Sequence, residues 1–188
     1  MSEAISALMG VSSQGYVTVQ EAGLRGMITL RGDLASPKLT GAVAKLTGVA
    51  CPAVGHINLA GESGLAWMSP DELLVLTPYA SSATDAAALA NKLKDSHHLV
   101  ANVSDARAMF RLQGAAVREV LAKISPANIS AVGFGPGQIR RSRLAQVAGA
   151  FWLVDDQTAE IVCFRSVASY VFSLLEHASR HGSEVGYR

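Results

Sequence analysis

The sequence predicts an α+β fold made of two pseudo-repeated β-α-β-β-α halves with largely antiparallel sheets. Three observations predict it. The phrase "RGMITLRG", Arg25 to Gly32, returns as "RAMFRLQG", Arg107 to Gly114, with arginine, methionine, leucine and glycine at the same places. Each phrase leads into a stretch of helical period, then two short β-prone runs, then a further helical stretch. Hydrophobic residues make up 49% of the 188, enough to bury a sizeable core without staples.

In the first half, "MITLRG" alternates, with Ile28 and Leu30 on one face and Thr29 and Arg31 on the other, as in a strand covered on one side. Ser36 is placed as an N-cap and Pro37 as the first helical residue, where a missing N–H is tolerated. Leu39, Val43 and Leu46 form the inner stripe, and Gly48 stops the helix. "GLAWM" and "ELLVLTP" flank the turn "SPD" and read as a hairpin. A second helix follows, capped by Ser82 with Asp85 three residues on, its stripe Ala86, Leu89, Ala90 and Leu93.

In the second half, Phe110 and Leu112 take the inward places of Ile28 and Leu30, while Arg111 points out as Thr29 does. Val117, Val120, Leu121 and Ile124 give the next helix its core face. "GAFWL" answers "GLAWM", which places Trp152 as the counterpart of Trp67, and "AEIVCF" closes the hairpin across "VDDQT". The last helix is capped at Ser166, with Val167, Tyr170, Val171, Leu174 and Ala178 inward. Between the halves, "HHLVANVSD" contains another strand-like run. The partition expected is an N-terminal segment 1–23, a first half 24–100, a second half 101–180 and a C-terminal tail 181–188, the halves forming one compact unit.

A formal charge of +1 announces neither nucleic acid nor an anionic membrane. Cys51 and Cys163 stand far apart without a C-x-x-C and read as buried thiols of a reducing compartment. No export signal opens the chain and no apolar run is long enough to span a membrane, so a cytoplasmic protein is expected.

Chemistry-bearing motifs are sparse. There is no nucleophile elbow, and "GFGPGQ", with its proline and no lysine, fits neither a P-loop nor a dinucleotide fingerprint and reads as a surface loop. His177 and His181 share a helical face but lack a metalloprotease frame, and with His97 and His98 they read as solvated. Asp71/Glu72 and Asp155/Asp156 fall in hairpin turns, where aspartates bond their own backbone. "IRRSRL" reads first as a solvated strand edge, with a docking patch for an acidic partner as the alternative and RNA binding behind both. Arg107 and Arg111 stand outside the core, and arginine and tryptophan are enriched at the centres of interfaces. No catalytic, cofactor-binding or metal-binding residue is assigned. The candidates for a partner interface are Arg107, Arg111, Arg140, Arg141 and Arg143.

Taken together, "VSDARAMFRLQGAAVREVLAKISP", "FGPGQIRRSRLAQV" and "CFRSVASYVFSLLEHAS", preceded by "ITLRGDL" and "LAWMSPDELLVLTP", resemble the gamma subunits of heterotetrameric sarcosine oxidases from about Met27 to Ala178. That family is similar to the folate-binding aminomethyltransferase of the glycine cleavage system, which implies a tandem α+β fold. Related sequences tend to carry a D-x-S aspartate where this chain has Asn102 ahead of Ser104. The resemblance implies a complex that oxidatively demethylates sarcosine to glycine, with hydrogen peroxide and methylenetetrahydrofolate as products. It implies FAD, FMN, NAD and tetrahydrofolate on the large partner subunits, zinc on the small delta subunit, and no catalytic residue in gamma. The expected partner is the large alpha subunit, in a complex with beta and delta. The alternative is a stand-alone folate-binding protein of the aminomethyltransferase-like group.

Overall fold

The computed structural model describes residues 3–187. It divides into two units, one of Arg25–Asp105 and one of the chain up to Leu24 together with that from Ala106 onward. The chain opens with two short strands, β1 (Ser12–Ser13) and β2 (Thr18–Glu21). The Arg25–Asp105 unit follows as β3 (Gly26–Gly32), α1 (Pro37–Thr47), β4 (Ile57–Ala60), β5 (Ser63–Ser69), β6 (Glu72–Thr77), α2 (Ser82–Leu93) and β7 (His98–Asn102). The chain ends with β8 (Arg107–Gln113), α3 (Val117–Ile124), β9 (Ile139–Leu144), β10 (Val147–Asp155), β11 (Thr158–Phe164) and α4 (Ala168–Ala178). The sheets run β4-β5-β6-β3-β7 and β1-β2-β8-β11-β10-β9, with antiparallel neighbours throughout.

The repeated phrase is the inner strand of each sheet. Ile28 and Leu30 lie opposite Val75 and Leu73, and Phe110 and Leu112 opposite Ile161 and Ala159. Each inward set packs with the helices of its own unit: Leu39, Val43, Leu89 and Leu93 in one, Val117, Val120, Leu121, Val171 and Leu175 in the other. A fully buried side chain of this size contributes about 1.5–3 kcal/mol, so these positions dominate each unit's stability. Gly114 ends β8 at a φ of 148°, and a methyl there would lie 3.1 Å from the Tyr16 carbonyl oxygen. Only glycine fits that turn without strain.

The partition differs from the expected one in a specific way. β7 runs on to Asn102 and pairs with β3, so the first unit extends past residue 100 to Asp105. The segment before residue 24 is no separate piece: Val19 lies opposite Leu112 in the second sheet. Glu21, 3% exposed, fixes the chain before it by accepting from Ser6 Oγ at 2.8 Å, Leu8 N at 2.9 Å and Gly10 N at 2.6 Å.

Local chemistry also shifts some ends. Pro37 is the first residue of α1 as expected, but Ser36 makes no side-chain cap bond. The N-cap of α2 is Ser81, not Ser82. Ser81 Oγ donates to Asp85 at 2.7 Å, while Ser82 Oγ turns back to the Tyr79 carbonyl at 2.8 Å. At α4 a short 3-10 turn, Arg165–Val167, displaces the expected cap from Ser166 to Val167. Its inner stripe is Ala168, Val171, Leu175 and Ala178, which leaves Tyr170 exposed. No helix of the described residues is long and apolar enough to cross a membrane.

Candidate functional site

The five candidate arginines all lie on the six-stranded sheet. Arg141 lies opposite Ala150, Ala150 opposite Val162, and Val162 opposite Met109. Strand alternation then puts Arg107, Arg111, Arg141 and Arg143 on one face and Arg140, opposite Phe151, on the core-facing side. The middle of the shared face is closed, since Met109, Ala150, Trp152 and Val162 are all buried.

Each arginine has its own setting. The Arg107 guanidinium sits 4.2 Å above the Phe164 ring. Arg111 Nη2 pairs with Glu160 at 2.9 Å, and the second Glu160 oxygen accepts the Trp152 indole N–H at 3.0 Å. Trp152 is fully buried and Glu160 6% exposed, so the indole and guanidinium replace the water that the enclosed carboxylate has lost. Arg140 donates to the carbonyls of Ile139 and Gly133 and to the Gln138 side chain, and stacks 4.9 Å over Phe134. Arg143 is exposed and donates to Gln146 Oε1 at 3.1 Å, and Arg141 is exposed beside it on β9.

Two expectations change here. "GFGPGQ" is not a plain surface loop, because Phe134 is fully buried and meets Phe151 edge-on at 5.6 Å. Arg118 holds the same loop by donating to the Ile129 and Phe134 carbonyls and to Asp156. Nor are Trp67 and Trp152 counterparts. Trp67 lies opposite Leu73 just before a bulge, the place that Leu153 fills opposite Ala159 in the second hairpin. The two rings therefore lie on opposite faces of their sheets.

A polar centre that sequence reasoning missed is Glu119, 4% exposed on α3. Its carboxylate accepts the backbone amides of Val185 at 2.8 Å and Tyr187 at 3.1 Å, and the Tyr16 hydroxyl at 3.2 Å. Lys123, one turn on, pairs with it at 3.3 Å and also donates to Tyr16 Oη, Ala178 O and Ser183 O. Burial alone would raise the Glu119 carboxyl, but these donors outweigh it and hold it below the usual range. For Lys123 burial acts downward and the same partners prevail, so its ammonium is held above the usual range. The visible signal was the Glu–Lys pair at i, i+4 beside an apolar stripe. For Glu160 it was a lone charge within the apolar run "TAEIVCF".

The remaining motifs are local. Asp71 accepts Ser69 Oγ at 2.6 Å and pairs with Arg31 at 3.0 Å, and both hold its carboxyl below the usual range. Asp155 accepts the Gln157 amide at 2.8 Å. Burial pushes the Cys163 thiol up to about 12. Among the described residues no three metal-ligating side chains gather. Asn102 accepts from Ser104 N at 3.1 Å and Oγ at 2.6 Å while its amide donates to Ser82 Oγ at 3.2 Å. An aspartate there would lack that donor.

The model of the sarcosine oxidase gamma subunit family matches residues 31–181. The chain belongs to the sarcosine oxidase gamma subunit family. It is 32% identical over 157 residues to the sarcosine oxidase subunit gamma of Corynebacterium sp. strain U-96, covering 81% of this chain and 74% of that one. To the strain P-1 subunit it is 27% identical over 176 residues, covering 92% and 85%. A solved chain of the heterotetrameric sarcosine oxidase from Corynebacterium sp. U-96 aligns with a TM-score of 0.81 and 25% identity over 95% of this chain and 91% of that one. The glycine cleavage aminomethyltransferase T of Bartonella henselae shares the fold, with a TM-score of 0.60 and 15% identity over 82% of this chain and 44% of that one. As a sarcosine oxidase gamma subunit the chain is part of a heterotetrameric oxidoreductase.

Proposed function

We propose that this chain is a structural subunit, without a catalytic residue of its own, held by the large alpha subunit in an assembly completed by beta and delta. In this reading FAD, FMN, NAD and tetrahydrofolate bind the partner subunits, and the complex works in the cytoplasm. Sarcosine, dioxygen and tetrahydrofolate give glycine, hydrogen peroxide and methylenetetrahydrofolate: the N-methyl carbon is oxidised and captured, and dioxygen takes the two electrons and two protons.

The observation that carries the reading is how the buried carboxylates among the described residues are used. Glu21 receives amides of the N-terminal segment, Glu119 those of the C-terminal tail, and Glu160 the Trp152 indole and Arg111. A general acid or base needs its proton-bearing atom within reach of substrate, and these are taken up by the chain's own donors.

Co-expression with the other subunits tests it. A stable complex is expected, together with no calorimetric heat when the isolated chain is titrated with tetrahydrofolate. A flavoenzyme that assembles and turns over unchanged when this chain is deleted would sink the structural reading. Folate binding by the isolated chain would point to the stand-alone protein instead.

A further inference from the structure

The sheet edges differ in charge. β1 is two serines, β4 is "INLA" and β7 is "HLVAN", so none carries a fixed charge. β9, the last strand of the six-stranded sheet, is "IRRSRL", and among the described residues it pairs with β10 alone. Its outer side therefore presents backbone groups that a further strand can use. Arg141 and Arg143 are exposed on one face of it, about 7 Å apart along a strand of ordinary rise. Where β9 ends, an open recess of about 600 Å³ is lined by Lys123, Ser125, Pro126, Arg143 and Gln146, with no acidic side chain on its wall. Lys123 is already paired with Glu119, so in a chain whose formal charge is only +1 it is Arg141 and Arg143 that make this edge a local concentration of positive charge.

We infer that β9 is the docking edge of this subunit and that its occupant is an extended acidic segment of another subunit of the complex. The segment adds antiparallel to β9 as a further strand and places carboxylates at alternate positions, facing Arg141 and Arg143. Arg140 is excluded from that contact, because it lies on the other face and clamps the 133–138 loop. The inference rests on the subunit reading proposed above.

The test is made on the co-expressed complex. The double variant Arg141→Glu/Arg143→Glu is expected to weaken binding of this chain at least about tenfold at low salt, and Arg141→Gln/Arg143→Gln less. The difference should shrink as salt is raised, because exposed charges are screened. An unchanged thermal transition of the isolated double variant shows that folding is intact; if it melts early, the comparison is made with the glutamine pair. Binding that is unchanged by both pairs, while Phe164→Glu at the far end of β11 abolishes it, overturns the edge assignment and leaves the subunit reading standing. Nucleic acid that co-purifies with the wild-type chain and is lost with the double variant overturns it as well. Failure of the wild-type chain to join any complex removes the subunit reading itself.

Discussion

A carboxylate as enclosed as Glu119 stays charged only if donors replace the water it has lost. Here the amides of Val185 and Tyr187 do so, with Lys123 and Tyr16 completing the shell. Its folded-state value lies below the 4.5 of an unperturbed glutamate. The contribution is therefore complete above the unfolded value and is lost as pH falls through the lower, folded one. Protection of the Val185 and Tyr187 amides should be constant from neutral pH to about pH 5 and fall in more acid solution. Glu119→Gln should lower stability by about 1–3 kcal/mol and speed exchange of those two amides first, as hydrogen bonds to a charged acceptor are lost. Tail amides that exchange alike in both proteins would count against the clasp. Such a centre is hard to read in sequence because its partners come from Tyr16 and Val185, far from α3 in the chain. The tryptophans were misread for a subtler reason: a bulge after Trp67 and another after Leu153 set the register, and aligning the tryptophans slips it by one residue. In a strand that slip exchanges faces.

Helix α3 places Val117, Val120, Leu121 and Ile124 against the inner strand β8, all buried and all anticipated from the i, i+3, i+4, i+7 spacing. Leu121→Ala should cost about 2–5 kcal/mol by leaving a cavity in a fully buried site. Leu121→Asp should abolish soluble expression, and recovery of either variant with an unchanged melting transition would remove α3 from the core. Elements with a strong period were legible in this way, and those without one were not. β4 has one buried residue, Ile57, in four, so its sequence gives no alternation to detect. The 133–138 loop looked exposed because glycine and proline dominate it, yet one ring, Phe134, anchors it to Phe151. The start of α4 was off by one residue because the 3-10 turn Arg165–Val167 carries the chain past Ser166, and that of α2 because adjacent serines offer equivalent hydroxyls. Which of two serines acts is decided by neighbouring acceptors such as Asp85 and the Tyr79 carbonyl.

Over the whole chain the repeat is real but its strands are exchanged. β2 precedes β3 in sequence yet pairs with β8, and β7 precedes β8 yet pairs with β3. Each sheet thus takes its outer strand from the segment that leads into the other repeat. A reading by sequence adjacency finds the repeat and misplaces both of these strands, since pairing across such distances leaves no local pattern. The exchange has a measurable consequence. A chain that begins at residue 25 keeps β3 between β6 and β7. It leaves β8 without its outer partner and removes Val17 and Val19, both fully buried, from the core beneath Leu112. Loss of two such side chains withdraws roughly 3–6 kcal/mol, a large share of a domain's net stability. The truncated chain is therefore expected to lose amide protection in β8 and β11 while Ile28 and Leu30 in β3 remain protected, although residue 25 is next to β3 in sequence. Protection lost first in β3, or kept in β8, would show that the pairing follows sequence order after all.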